Sequence, residues 1–233
     1  MITRDPELLQ FLEDKLTDRR KERLHEVIEE RTRHFTVAVE NVYQPHNASA
    51  VIRSCECFGI QDLYVLEKGN EFIPSRGIVN GADKWVDLYI YRENEGGTAG
   101  CIKDLRENGY QIVATTPHKN DCLLEDFDVT KKSAFFFGTE KDGLSDEIMD
   151  EADQFLKIPI VGFTESFNIS VSVALILQFL TWKLKRQSDV KWPLSDGEKL
   201  EKKIEWAMNS LHNGIDLVEY FHEMRRSQAK QEA

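Results

Sequence analysis

Residues 133–182 constrain this chain most, because they alternate apolar runs with glycine-bearing loops. Ser133-Ala-Phe-Phe-Phe137 stops abruptly at Gly138-Thr-Glu-Lys-Asp-Gly143. A short apolar run cut off by a turn predicts a strand in a sheet covered on both faces. Phe155-Leu-Lys-Ile-Pro-Ile-Val161 predicts a second one, ending at Gly162-Phe-Thr-Glu-Ser-Phe-Asn168. Residues 169–182 are then almost unbroken apolar sequence, which predicts a helix covered on more than one side. That helix is shorter than the ~20 residues a bilayer span needs. Ligands of α/β sheets bind at loops leaving strand ends. These two loops are therefore the first place to look for a site.

The rest of the chain extends the pattern. Phe35-Thr-Val-Ala-Val39, Asp62-Leu-Tyr-Val-Leu66, Trp85-Val-Asp-Leu-Tyr-Ile-Tyr91 and Tyr110-Gln-Ile-Val-Ala114 each predict a strand. Helices are expected between them, over 48–58 with Asn47 as N-cap and Gly59 as terminator, and over 98–107 closed by Gly109. Strands alternating with helices predict an α/β fold with a largely parallel sheet. Apolar residues at helical spacing also recur over 5–33 and 196–228, and a break in composition falls at Gln187-Ser-Asp-Val-Lys-Trp-Pro193. The expected division is an N-terminal helical arm (1–34), an α/β core (35–186) and a C-terminal helical arm (187–233).

Charge is unevenly spread. The net charge is −11, and residues 35–182 supply all of it, since the two ends are nearly balanced. A nucleic-acid partner needs a basic footprint, which here must be local: Arg19-Arg20-Lys21-x-Arg23, Arg31-x-Arg33, Lys183-x-Lys185-Arg186, Lys202-Lys203 and Arg225-Arg226. Solvated helix faces account for any one of these clusters equally well. Cys55, Cys57, Cys101 and Cys122 lack metal-ligand spacing, and the six histidines are scattered. No metal is expected. A reduced cytoplasm suits these cysteines, and the charged N-terminal sequence does not read as a signal peptide.

Three stretches could carry chemistry. In Asn47-Ala-Ser-Ala-Val-Ile-Arg53 the apolar stripe of Ala48, Val51, Ile52, Cys55 and Phe58 leaves Arg53 on the opposite helix side, ~9 Å along the axis from Asn47. Arg53 there could reach a phosphate or a reacting oxygen; an ordinary solvated arginine behind an asparagine cap fits the same residues. Gly138-Thr-Glu-Lys-Asp-Gly143 lacks the Gly-Lys-Ser/Thr of a phosphate-binding loop and the G-x-G-x-x-G of a dinucleotide fingerprint. It remains a glycine turn after a buried strand, where a ligand can approach bare backbone, and Glu140 within it could orient a neighbouring arginine. Ser166-Phe-Asn168 precedes the apolar helix, as an N-cap or as part of a polar site at free helix amides.

Together the stretches resemble the three motifs of the SpoU/TrmH family of RNA ribose 2′-O-methyltransferases, in the SPOUT superfamily. The first is Asn47-x5-Arg53 with Phe58-Gly59. The second is Phe137-Gly138-x-Glu140-x-x-Gly143-Leu144-Ser145. The third is Ile158-Pro159-x5-Glu165-Ser166-Phe167-Asn168-x-Ser170-x-Ser172-x-Ala174. The resemblance covers roughly residues 35–186, and the helical ends are similar in placement to those of the branch that modifies a D-loop guanosine of tRNA.

The resemblance implies a parallel sheet whose C-terminal part is tied in a trefoil knot. It implies S-adenosylmethionine held by backbone around Thr115, Gly138, Ile158 and Phe167. It also implies a homodimer built on the 169–182 helix, and tRNA held by the arms. Arg53 would be the catalytic residue at the ribose 2′-hydroxyl, with Asn47, Glu140, Ser166 and Asn168 arranging the site. Guanidinium loses its proton only above about pH 12, so stabilisation of a developing alkoxide is the expected role of Arg53. The methyl sulfonium is already an activated electrophile, so no metal is required. Two alternatives accompany this reading: methylation of rRNA, and a catalytically silent RNA-binding protein of the same fold. The sequence departs from the family in its acidic core and in Phe167, where an aliphatic residue is usual.

Overall fold

The apolar runs do become the sheet. In the computed structural model, residues 4–119, 121–139, 142–186 and 189–231 are described. The elements run α1 (Pro6–Glu13), α2 (Asp18–Glu29), β1 (Phe35–Glu40), α3 (Pro45–Cys57), β2 (Asp62–Glu67), α4 (Arg76–Val79), β3 (Asp87–Arg92), α5 (Gly97–Glu107), β4 (Gln111–Thr115), β5 (Cys122–Leu123), β6 (Ser133–Phe137), α6 (Asp146–Glu151), β7 (Gln154–Lys157), α7 (Ile169–Lys185), α8 (Asp196–Ser210) and α9 (Gly214–Gln231). They fall into two compact units, residues 32–192 and residues 1–31 with 193–233.

Residues 32–192 hold a seven-stranded sheet in the order β3-β2-β1-β6-β4-β7-β5, and every strand pair is parallel. β1 and β6 lie side by side with Val37 level with Phe135, and every residue of both is buried. Alternation of side chains divides them between two faces. Phe35, Val37, Val39, Phe135 and Phe137 join a core with Val51, Ile52 and Cys55 of α3 and Val173, Ile176, Leu177 and Leu180 of α7. Ala38, Ala134 and Phe136 join a second core with Cys101, Ile102 and Leu105 of α5 and Ile148 of α6. Both faces are covered, as an unbroken apolar strand requires. Because all strands run the same way, the loops after β1, β4, β6 and β7 leave one edge of the sheet.

Three expectations are corrected. The strand expected over Phe155-Leu-Lys-Ile-Pro-Ile-Val161 is only Gln154–Lys157; Pro159 has no N–H for a ladder, and residues 158–168 run on as a loop. The helix expected from Ala48 begins at Pro45, with Gln44 as its N-cap residue. Proline is pre-set for the first helical position, and this moves Asn47 inside the first turn. The two-residue strand β5, too short for a periodic signal, was not expected at all.

The unit of residues 1–31 and 193–233 holds α1, α2, α8 and α9, so the terminal segments share one helical unit. Breaks at 14–17 and 211–213 divide each expected long helix in two. Leu8, Leu12, Leu24, Ile28, Ile204, Trp206 and Phe221 are buried in it. The buried Arg31 guanidinium lies 5.2 Å from the Trp206 ring, and Arg225 pairs with Asp5 and Glu7.

Candidate active site

The site grows out of a collision that only glycine avoids. A Cβ on Gly138 would run into the Gly143 carbonyl and the Leu144 amide nitrogen, so the turn after β6 closes directly on its own first residue. Thr139 and Gly143 exchange backbone hydrogen bonds of 3.0 Å in both directions. Gly143 has a φ of 70°, a left-handed conformation that glycine adopts freely. The loop thus presents backbone at close quarters.

That backbone forms one wall of a cavity of about 390 Å³ at the strand ends. Thr115 to Lys119 after β4, Ile158, Ile160 and Glu165 to Phe167 after β7, and Ile169, Ser172 and Ile176 of α7 contribute the other walls. The volume falls within the ~300–1,000 Å³ of small-molecule sites. Thr115, Gly138, Ile158 and Phe167 all line it, and so does Ser166. Thr115 Oγ1 donates to the Phe136 carbonyl at 2.8 Å, which ties the β4 loop to β6. The charged residues on the walls have both signs: Lys119, beside His118, on one loop, and Asp142 and Glu165 on two others. The Lys119 ammonium stands 3.8 Å from the centre of the Phe155 ring.

Asn47 and Asn168 meet. Asn168 Nδ2 donates to Asn47 Oδ1 at 3.0 Å, and Asn47 Nδ2 donates to Gln44 Oε1 at 2.9 Å. Asn168 also caps α7, its Oδ1 accepting the Ser170 N–H at 2.9 Å and the Ser170 hydroxyl at 2.6 Å. The cap reading of Asn168 is therefore realised, and its amide nitrogen also reaches Asn47. Asn47 is buried and lines a shallow groove with Tyr43, Gln44, Thr139 and Ile169. Thr139 and Ile169 belong to the cavity as well, so groove and cavity share a wall.

Arg53 stands apart from this cluster. It lies on the exposed side of α3, with one guanidinium N–H donating to the Ile78 carbonyl of α4 at 3.3 Å, and it does not line the cavity. Glu140 lies outside the described residues. Sequence reasoning missed His118 and Lys119, whose one signal was their place just beyond β4. It also missed Glu40 and Lys68, which hold Ser145 beneath the glycine turn. Among the described residues, no group of three or more His, Cys, Asp or Glu side chains could hold a metal, and no helix is long and apolar enough to cross a membrane.

Residues 34–178 match the model of the SpoU rRNA methylase family. The chain belongs to the SpoU methylase family. Among its relatives, a tRNA (guanosine(18)-2′-O)-methyltransferase of Borreliella burgdorferi is 36% identical over 198 residues, 85% of this chain and 88% of that protein. A protein of the same name from Aquifex aeolicus is 32% identical, over 81% of this chain and 86% of its own length. The crystal structure of an A. aeolicus TrmH/SpoU tRNA modifying enzyme superposes with a TM-score of 0.74 at 30% identity, covering 83% of this chain and 98% of that one. The SpoU match spans both halves of the asparagine pair and the three strand-end loops that line the cavity.

Proposed function

We propose that this SpoU methylase transfers a methyl group from S-adenosylmethionine to the ribose 2′-hydroxyl of a D-loop guanosine in tRNA; its relatives are named for guanosine 18. The observation that carries this reading is the Asn47–Asn168 pair beside a backbone-walled cavity at the ends of parallel strands. The cavity fits the cofactor in size, at about 390 Å³, and the glycine turn Gly138, Gly143 and Leu144 supplies part of its wall. Bound there, S-adenosylmethionine supplies a methyl group on a positively charged sulfur, already activated for transfer.

The chain does the rest. Backbone around Gly138, Ile158 and Phe167, with Thr115 on the neighbouring loop, would hold the cofactor. Lys119 would suit its carboxylate, and Asp142 and Glu165 its ammonium. Asn47, fixed by Asn168 and Gln44, orients the ribose, with Ser166 at the cavity rim and Glu140 as an orienting carboxylate. Arg53, exposed on the same helix, stabilises the negative charge that grows on the 2′-oxygen as its proton leaves to phosphate or water. The C-terminal part of the sheet is read as tied in a trefoil knot that would hold the cofactor, and the cell compartment as the cytoplasm.

RNA binding is assigned to the terminal segments, residues 1–34 and 187–233, since the core carries the acidic excess. Arg19, Arg20 and Arg23 are exposed on α2. Each phosphate that is no longer neutralised takes ~0.7–0.9 off the slope of log affinity against log salt. The triple variant Arg19→Ala, Arg20→Ala, Arg23→Ala should therefore bind tRNA at least tenfold more weakly at 100 mM salt. Its affinity for S-adenosylhomocysteine should not change. Filter binding across a salt series checks this, and an unchanged slope would remove α2 from the RNA footprint.

The homodimer is assigned to α7, whose Val171, Leu175 and Trp182 are 42%, 39% and 50% exposed along one face. Leu175→Arg should convert a dimer to a monomer in light scattering; a wild-type chain that already runs as a monomer contradicts the assignment.

Transfer of labelled methyl groups to unmodified tRNA and rRNA transcripts tests the function. Label in tRNA supports it, and label in rRNA alone would replace the substrate. Cofactor binding without transfer to either would favour a silent RNA-binding protein.

A further inference from the structure

The glycine turn is held from beneath by a buried carboxylate that the chemistry above does not use. Glu40 ends β1 and is 3% exposed. Its two oxygens take two donors of one residue: Oε2 accepts the Ser145 N–H at 2.8 Å, and Oε1 accepts the Ser145 hydroxyl at 2.6 Å. Lys68, the first residue after β2, places Nζ 3.0 Å from Glu40 Oε1, 3.2 Å from Ser145 Oγ and 3.1 Å from Glu147. Burial acts to lower the Lys68 pKa, but its bonds to Glu40 and Glu147 outweigh this and raise it, so the ammonium stays charged. A buried charge persists only when paired and hydrogen-bonded. Here both conditions are met around one serine.

Ser145 is also in an unusual state for its position. It is the N-cap residue of α6, where a serine hydroxyl commonly accepts from the helix amides. It makes no such bond and donates to Glu40 instead. Its two predecessors are Gly143 and Leu144, whose backbone packs on Gly138 and which line the cavity. Fixing Ser145 fixes the return leg of the turn. The residue after Glu40 begins the loop into α3, the helix of Asn47 and Arg53.

We propose that Glu40, seconded by Lys68, is a positioning residue for the methyl-transfer reaction. It latches the return leg of the glycine turn to the end of β1, and so holds the cofactor wall at a fixed distance from the helix that carries Asn47 and Arg53. The inference rests on the reading of the cavity as the S-adenosylmethionine site.

Four variants test it: Glu40→Gln, Ser145→Ala, Lys68→Met and the double variant Glu40→Gln, Lys68→Met. S-adenosylhomocysteine affinity by calorimetry, melting temperature and the separate KM values for cofactor and tRNA are measured on each. Glu40→Gln keeps the shape and loses the charged acceptor, so the dissociation constant and the cofactor KM should rise about tenfold, the scale of one charge-assisted hydrogen bond. The tRNA KM should stay within twofold. Ser145→Ala, which keeps the N–H donor, should lose roughly threefold. The double variant removes the ammonium that has lost one of its two carboxylate partners, and should regain melting temperature over Glu40→Gln without regaining cofactor affinity. Recovery of both together would make Glu40 a stability residue and overturn the proposal. So would wild-type affinity in both Glu40→Gln and Ser145→Ala. Failure of the wild-type chain to bind S-adenosylhomocysteine would instead overturn the cofactor reading, and the latch with it.

Discussion

Arg53→Ala loses methyl transfer by about 10²–10³-fold or more in kcat, the scale for removing one charge-stabilising donor, while the protein melts as the wild type does. The second half of that expectation comes from the structure. Arg53 is exposed, and its one described bond is a 3.3 Å contact to the Ile78 carbonyl. Exposed side chains without a structural role change stability by only about ±0.5 kcal/mol. Affinity for S-adenosylhomocysteine should hold within twofold, because Arg53 does not line the cavity. Arg53→Lys separates two roles for the guanidinium. A charge that steadies the developing alkoxide is partly supplied by an ammonium, so measurable turnover should survive. Loss as complete as in Arg53→Ala would mean that planar, bidentate geometry is required and that simple charge stabilisation is wrong. Single-turnover assays with saturating cofactor report the difference directly.

Gly138→Ala carries the second large effect, and it falls on the cofactor. The added methyl group meets backbone, the Gly143 carbonyl and the Leu144 amide, and no flexible side chain can move aside. The turn has to open or the strand end has to shift, and overpacking of this kind costs ~1–3 kcal/mol or more. Affinity for S-adenosylhomocysteine should fall by at least a hundredfold, since the wall itself is displaced. Gly143→Ala is the instructive control. A Cβ there meets nothing within 4 Å, but the residue holds a φ of 70°. It should lose only the ~1–2 kcal/mol of a left-handed alanine and retain a usable cavity. Melting curves and calorimetry on the pair decide the point. Equal behaviour of the two variants would mean that the close approach at Gly138 does not shape the site.

Much of the core was legible because its strands are short, apolar and sharply ended. Phe35-Thr-Val-Ala-Val39 and Ser133-Ala-Phe-Phe-Phe137 announce buried strands, and Gly138 directly after the second announces a loop of the site. Their adjacency was not legible. Nothing local in either run says that β6 lies beside β1, with 92 residues between Glu40 and Ser133 in the chain, and tertiary pairing decides it. The Asn47–Asn168 bond shows the same limit. Each asparagine read as an N-cap, and for Asn168 that is what the structure has. For Asn47 the cap reading failed because Pro45 starts the helix earlier, and the side chain thus freed points across to a residue 121 positions away. The latch at Glu40 was hidden for a third reason. A glutamate at the end of a strand looks like the start of a polar loop, and only burial shows that it has left solvent.

One break and one helix start in the terminal segments were legible in retrospect. Thr17 caps α2, with its hydroxyl accepting from the Arg20 amide, and Ser195 forms a capping box with Glu198 at the start of α8. The S-x-x-E spacing is a helix-start signal. Period alone, read across charged sequence, ran through the break at 14–17.

The claim that stands above the others is chemical: the methyl group goes to a ribose oxygen and not to a base. Nucleoside analysis by mass spectrometry, after the wild-type chain has acted on an unmodified tRNA transcript with S-adenosylmethionine, tests it most directly. The account predicts 2′-O-methylguanosine, formed by the wild type and absent with Arg53→Ala. A methyl group on the guanine ring, or a product that Arg53→Ala forms at the wild-type rate, would contradict it.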